Sequence, residues 1–199
     1  MIDNNLNKEI WSENVIIADA DYIDKVAFDL TVNFERMIGR RIDKADMARW
    51  AECVALDGGL REGDHETQVV LIHDKGHEGL DNFKPSRYAD ELDGKAFKGR
   101  LGEFILSALP TEQVAGKADL LLDVLALVCA QKEVKRVMVI TDTDDSALYD
   151  DMHASLRRVD DDKRVTVFAM QPMEGGNFRQ EILGYSLMSA LGIRADELK

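Results

Sequence analysis

The stretch Val137-Met138-Val139-Ile140-Thr141-Asp142-Thr143-Asp144-Asp145 decides the fold, because an apolar run of strand length ends there in aspartates. A short run that is apolar at every position is typical of a strand covered on both faces, as in a parallel sheet. Val15-Ile16-Ile17-Ala18-Asp19 repeats the pattern near the amino terminus. We therefore expect two buried strands, each ending at a carboxylate.

Strand and helix patterns alternate along the rest of the chain. Three further strand-like segments, residues 67–73, 103–109 and 164–170, are separated by segments in which apolar residues have helical spacing. This alternation predicts an α/β fold of three layers with a mainly parallel sheet of about five strands. With strands numbered along the chain, the order 3-2-1-4-5 makes the first and fourth strands neighbours, so Asp19 and Asp142 meet at the carboxyl edge, where ligands bind in open α/β sheets.

The chain divides into three parts by its composition. Residues 1–13 are polar and are expected to form a flexible arm, residues 14–172 form the α/β domain, and residues 173–199 carry a last amphipathic helix over 178–191. The apolar stripe of that helix either packs on its own domain or forms the interface of a two-fold homodimer. Leu187 lies in this stripe.

Charge and composition exclude several classes of function. The 199-residue chain has a net charge of -13, which disfavours a broad basic surface for nucleic acid while leaving room for a local site. It has neither a signal-peptide pattern nor a long uncharged apolar run, so no membrane span is expected. Cys53 and Cys129 fall in helical segments, which indicates reduced thiols and a cytoplasmic protein.

Four aspartates are candidates for a metal site: Asp19, Asp123, Asp142 and Asp144. Asp123 interrupts an apolar run beyond the position of a helix cap. Two unit charges about 4 Å apart repel by about 4 kcal/mol at an effective dielectric of roughly 20, so four neighbouring carboxylates need a cation. Ligation by oxygen alone suits Mg²⁺ or Mn²⁺, which orient water and stabilise charge on a phosphoryl group. The pattern predicts hydrolysis of a phosphodiester.

Helix capping is the alternative role for several of these carboxylates. Aspartate is favoured at helix N-caps and in first turns, so the candidates for caps are Asp119, either Asp19 or Asp21, and either Asp144 or Asp145. Residues 73–78 offer two histidines, but a glycine turn after a strand does not place them on one face as a helix would. We interpret that segment as a loop.

Residues 116–144 resemble the second half of NYN domains, a branch of the PIN-like ribonuclease superfamily. The family pattern is lysine-glycine-x-aspartate, an aspartate within the following helix, and serine-glycine-aspartate-serine-aspartate after a strand. Asp123, Asp142 and Asp144 match its last three aspartates, and Asp19 matches the one that ends the first strand. The resemblance covers roughly residues 15–170. It implies a metal-dependent ribonuclease that acts on RNA, with these four aspartates as catalytic and metal-binding residues.

Three positions depart from the NYN pattern. Tyr22 stands where the family has asparagine, Ile140-Thr141 replaces serine-glycine, and Asp119 lies closer to Asp123 than the family spacing. A PIN-like protein that has lost catalysis and serves as a binding or regulatory module is therefore the alternative function.

Overall fold

The computed structural model describes residues 10–112 and 116–198. Its strands are β1 (Asn14–Asp19), β2 (Ala45–Asp46), β3 (His65–His73), β4 (Phe83–Lys84), β5 (Ala96–Gly99), β6 (Gly102–Pro110), β7 (Arg136–Ile140), β8 (Arg164–Ala169) and β9 (Arg179–Ile182). Its α-helices are α1 (Ala20–Ile38), α2 (Met47–Asp57), α3 (Lys117–Ala130), α4 (Ser146–Leu156) and α5 (Leu183–Ala190).

One sheet of seven strands forms the centre of the protein, in the order β5-β6-β3-β1-β7-β8-β9. The β5–β6 pair is antiparallel and the other pairs in this sheet are parallel. The prediction of an α/β fold with a mainly parallel sheet is confirmed. The chain adds strands on one side of β1 and then on the other, so β1 lies at the point where strand order reverses.

The sheet separates two hydrophobic clusters, and alternate residues of β1 contribute to each. Ile16 belongs to a cluster that includes side chains of α1, α2 and α5, whereas Ile17 belongs to one that includes side chains of α3 and α4. Because successive strand residues point to opposite faces, a strand covered on both faces must be apolar throughout. This explains the uninterrupted apolar run that precedes Asp19.

The carboxyl-terminal segment differs from its prediction. Residues 179–182 form β9 rather than the start of a helix, because their backbone pairs with β8, with Thr166 opposite Arg179. The helix that follows, α5, is shorter than predicted. Leu187 is fully buried in the cluster shared with α1 and α2, so the apolar stripe of α5 packs within its own chain.

The last residues of the predicted amino-terminal arm pack against the sheet. Residues 1–9 of the expected arm lie outside the described residues. Trp11 is only 3% exposed and packs in the cluster on the α3 side of the sheet. The Ser12 amide donates to Gln68 Oε1 at 2.9 Å. Burial of a large indole draws this part of the chain onto the domain. In the described part of the chain, no helix combines the length and apolarity that crossing a membrane requires.

Candidate functional site

The candidate site lies at the carboxyl edge of the sheet, where β1 is flanked by β3 and β7. Asp19 ends β1 and caps α1, with Oδ1 accepting from the Tyr22 amide at 3.0 Å. Ala18 pairs with Ile140, the last residue of β7, so the loop that carries Asp142 begins beside Asp19. In that loop Asp142 Oδ1 accepts from the Asp144 amide at 3.0 Å.

Tyr22 experiences the negative charge of three of the predicted site residues. Burial raises the pKa of Tyr22 to about 12, and the negative charges of Asp142, Asp144 and Asp19 add to the rise. NYN domains have an asparagine at the position of Tyr22. This chain has a phenol there instead, and its raised pKa keeps it protonated at neutral pH.

Asp123 lies on the solvent-facing side of α3. It is solvent-exposed, whereas Leu121, Val124, Leu125 and Val128 of α3 are buried. Asp119, one helical turn earlier, is exposed as well, so the two aspartates share the solvent-facing stripe of α3. Although Asp123 interrupts an apolar run in the sequence, it faces solvent in the structure, and the spacing of four residues between the two aspartates is the signal that sequence reasoning missed.

The capping alternative holds for two positions. Asp19 caps α1, and Asp145 caps α4 by accepting from the Leu148 amide at 3.1 Å. Asp144 has a different partner, because its Oδ1 accepts from Gln171 Nε2 at 3.1 Å. Asp119 lies in the first turn of α3 and is not its cap.

Lys117, which sequence reasoning did not assign to the site, connects three segments of the cleft. Its Nζ lies 2.8 Å from Asp21 Oδ2, 3.1 Å from Asp19 Oδ1 and 3.6 Å from Asp74 Oδ2. Asp21 is in the first turn of α1, and Asp74 follows β3. The ammonium thus lies among carboxylates from two neighbouring strand ends. The position of Lys117 in the first turn of α3 is the one sequence signal that could have indicated its place at the carboxyl edge of the sheet.

His77 completes a group of three side chains that offer metal-ligand atoms. Its Nδ1 lies 2.5 Å from Asp21 Oδ1, and the Asp74 amide donates to Asp21 Oδ2 at 2.9 Å. One ligand atom each of Asp21, Asp74 and His77 lies within 4.8 Å of the others, the one such group found in residues 10–112 and 116–198. The predicted set of Asp19, Asp123, Asp142 and Asp144 does not form a group this tight. Lys117 already balances part of the charge of Asp21 and Asp74.

The pKa shifts follow these contacts. Burial raises the pKa of Asp19 above its ordinary value, although the Lys117 charge opposes the rise. Burial also acts to raise the pKa of Asp21, but hydrogen bonds from Lys117, His77 and the Asp74 amide together lower it. The hydrogen bond to Asp21 raises the pKa of His77. For Lys117, burial acts to lower the pKa, and the contacts with Asp21 and Asp19 raise it overall.

Two aromatic rings lie beside the cleft on the β3 side. His73 and Tyr88 stack with their centroids 3.7 Å apart, and His73 Nδ1 lies 3.0 Å from the Asp74 carbonyl. Burial raises the pKa of Tyr88, with added effects from Asp21 and other nearby carboxylates. Its hydroxyl is buried and has no hydrogen-bond partner among the described residues. The stack supports the loop that carries Asp74.

The fold and the site together define an α/β protein with an acidic cleft at the carboxyl edge of a parallel sheet. The chain belongs to a family of unknown function, DUF6621, whose model matches residues 8–198. No curated protein and no solved structure matches the chain.

Proposed function

We propose that this protein is a PIN-like ribonuclease that hydrolyses RNA phosphodiester bonds with Mg²⁺ or Mn²⁺. The observation that carries the proposal is that Asp19, at the end of β1, lies beside the start of the loop after β7, which carries Asp142 and Asp144. This arrangement is at the point where strand order reverses, and open α/β sheets bind ligands at such points.

The donor atoms at this edge of the sheet suit a hard divalent cation. Asp19, Asp142 and Asp144 offer carboxylate oxygens, which Mg²⁺ and Mn²⁺ prefer over nitrogen or sulfur. Such a cation would lower the pKa of bound water and stabilise charge on a phosphoryl group. We leave Asp123 out of the proposed ligand set, because it lies on the exposed stripe of α3.

The chain's own residues have separate roles in this proposal. The Tyr22 phenol, with a pKa of about 12, stays protonated at neutral pH and is available as a hydrogen-bond donor. Asp19 caps α1, so its carboxylate is held in one orientation. The Lys117 ammonium lies 3.1 Å from Asp19 Oδ1 and reduces the repulsion that a buried carboxylate adds to the cleft.

The test is cleavage of a labelled single-stranded RNA by the purified protein in Mn²⁺ or in EDTA. We expect activity in Mn²⁺, none in EDTA, and a loss of about a hundredfold or more in Asp19→Asn and Asp142→Asn. Asparagine is as good a helix cap as aspartate, so Asp19→Asn keeps the start of α1. Asp29→Asn, an exposed position on α1, is the matched control for charge. Equal activity in wild type and all three variants would show that a contaminant cleaves the RNA.

The second candidate is a PIN-like binding or regulatory module without catalysis, and Lys117 favours it. Its ammonium lies within 3.6 Å of three carboxylates, so an internal cation already neutralises part of the negative charge that a metal ion would neutralise. A wild-type protein that is inactive and whose melting temperature does not respond to Mn²⁺ would support this candidate over the ribonuclease.

A further inference from the structure

Three neighbouring strands at the opposite edge of the sheet begin with arginine. Arg136 starts β7, Arg164 starts β8 and Arg179 starts β9. Arg136 is opposite Arg164 in the parallel register, and Thr166 is opposite Arg179. Paired residues share a face, and so do residues two apart in one strand, so all three arginines lie on one face. Adjacent strands are only about 4.8 Å apart.

The turn after α2 brings two of these guanidinium groups together. Arg136 donates from Nε to the Gly58 carbonyl at 3.0 Å, from Nη2 to the Gly59 carbonyl at 3.3 Å, and from Nη1 to Asn14 Oδ1 at 3.2 Å. Gly59 has a φ of 91°, and a Cβ there would lie 3.5 Å from Arg179 Nη1 and 4.0 Å from Arg136 Nε. Arg61 follows two residues later.

The positive charge of this cluster is only partly balanced. Over the described ranges, Arg61, Arg136 and Arg164 have no carboxylate close enough for an ion pair, while Arg179 lies 3.6 Å from Glu181. The partners of Arg136 are neutral oxygens, which fix the guanidinium group without neutralising it. Burial lowers the pKa of Arg136, and the charges of Arg164, Arg61 and Arg179 lower it further, whereas Glu13 acts in the opposite direction.

Four arginines in such an arrangement match the chemistry of phosphate. A guanidinium group presents paired N–H donors that suit phosphate oxygens, and a bound anion removes the repulsion among the arginines. Arg61, Arg164 and Arg179 are exposed, and anchored Arg136 lies beside them. We infer that Arg61, Arg136, Arg164 and Arg179 form a phosphate-binding site at the amino edge of the sheet. The phosphate belongs either to a free phosphate ester or to an RNA backbone.

This site is separate from the acidic cleft. The amino and carboxyl edges are separated by the six residues of β1, a distance of about 17 Å between Asn14 and Asp19. Phosphate binding at the arginines does not require the cleft to hold a metal or to cleave RNA. It can therefore be tested in EDTA, where failure of the proposed ribonuclease does not affect the result.

The experiment titrates inorganic pyrophosphate into the full chain by isothermal calorimetry in EDTA. We expect Arg164→Gln and Arg179→Gln each to raise the dissociation constant about tenfold, the size of one charge-assisted hydrogen bond. Arg41→Gln, an exposed arginine outside the cluster, is the matched control and should bind as wild type does. Arg164 and Arg179 are preferred to Arg136, whose three hydrogen bonds also support the turn after α2. Circular dichroism and melting curves check that the variants fold.

A labelled single-stranded RNA, titrated by fluorescence anisotropy at several salt concentrations, distinguishes the two sources of phosphate. If Arg164→Gln weakens RNA binding and lowers its salt dependence by about one ion, the phosphate is that of a nucleic-acid backbone. If pyrophosphate binds and RNA does not, it is that of a free ester. Absence of binding by both probes, or equal effects of Arg41→Gln and Arg164→Gln, overturns the inference.

Discussion

Lys117 Nζ lies 2.8 Å from Asp21 Oδ2, so the first turn of α3 places an ammonium group inside the acidic cleft at the start of α1. The two side chains are 22% and 17% exposed, and partial burial strengthens their attraction relative to that of a surface pair. Because the same ammonium lies 3.1 Å from Asp19, it neutralises part of the charge that the cleft gathers. The fold therefore supplies an internal cation to these carboxylates.

Replacement of Lys117 should make the cleft depend on an external cation. We expect Lys117→Met to lower the free energy of unfolding by about 2 kcal/mol without metal, because it leaves Asp19 and Asp21 without their partner. Mn²⁺ should then raise the melting temperature of the variant more than that of wild type. Lys132→Met, at an exposed position, is the control. If both variants melt alike with and without Mn²⁺, Lys117 does not stand in for a cation.

The sequence predicts Asp123 as a metal ligand, whereas the structure places it on the exposed stripe of α3. As a metal ligand it would be needed for any Mn²⁺-induced rise in melting temperature, whereas on the exposed stripe of α3 it should be dispensable. We expect Asp123→Asn to change the free energy of unfolding by less than about 0.5 kcal/mol and to leave the response to Mn²⁺ unchanged. Asp142→Asn, measured alongside, should reduce that response. Loss of the response in Asp123→Asn would restore it to the ligand set.

His77 should make stability depend on pH. Its pKa in the folded protein is raised above 6.5 by the hydrogen bond to Asp21. The contribution is therefore fully present below about pH 6.5 and is lost as the pH rises through the folded pKa. His77→Gln should melt lower than wild type at about pH 6 and equally at about pH 9. The difference in the free energy of unfolding between His77→Gln and wild type should stay below about 1 kcal/mol, because the His77 side chain is 56% exposed.

The matched control for His77→Gln is His153→Gln, since His153 lies on α4 away from the cleft. It should follow the wild-type pH dependence of the melting temperature. A constant difference between His77→Gln and wild type across this pH range would show that the His77–Asp21 contact acts through packing rather than through charge.

Leu187 tests whether α5 belongs to the core or to an interface between chains. Its side chain is fully buried within its own chain, so Leu187→Ala should cost about 2–5 kcal/mol in urea unfolding. Tyr185 on the same helix is 69% exposed, and Tyr185→Ala should cost under about 0.5 kcal/mol. Light scattering should give Leu187→Ala and wild type the same mass. A folded variant of half the wild-type mass would instead place Leu187 in a dimer interface.

The sequence by itself determined the central strands and the positions of the carboxylates that end them. The apolar run before Asp142 is a local feature, and a strand buried on both faces admits few polar side chains wherever it lies in a sheet. Asp19 and Asp142 could be placed at the carboxyl edge because each follows such an apolar run. Strand β9 escaped prediction, because the short segment 179–182 becomes a strand only by pairing with the exposed edge of β8.

Only the tertiary structure decided which charged side chains meet. Lys117, Asp21 and His77 come from segments far apart in the chain, and the arginines at the opposite edge begin three different strands. Side-chain contact between such segments depends on the register of the strands and on which stripe of each helix faces the sheet. The spacing of residues in the sequence gives neither the register of the strands nor the stripe of each helix that faces the sheet. The solvent-facing position of Asp123 was decided in the same way, because packing of the opposite stripe of α3 against the sheet leaves Asp123 in water.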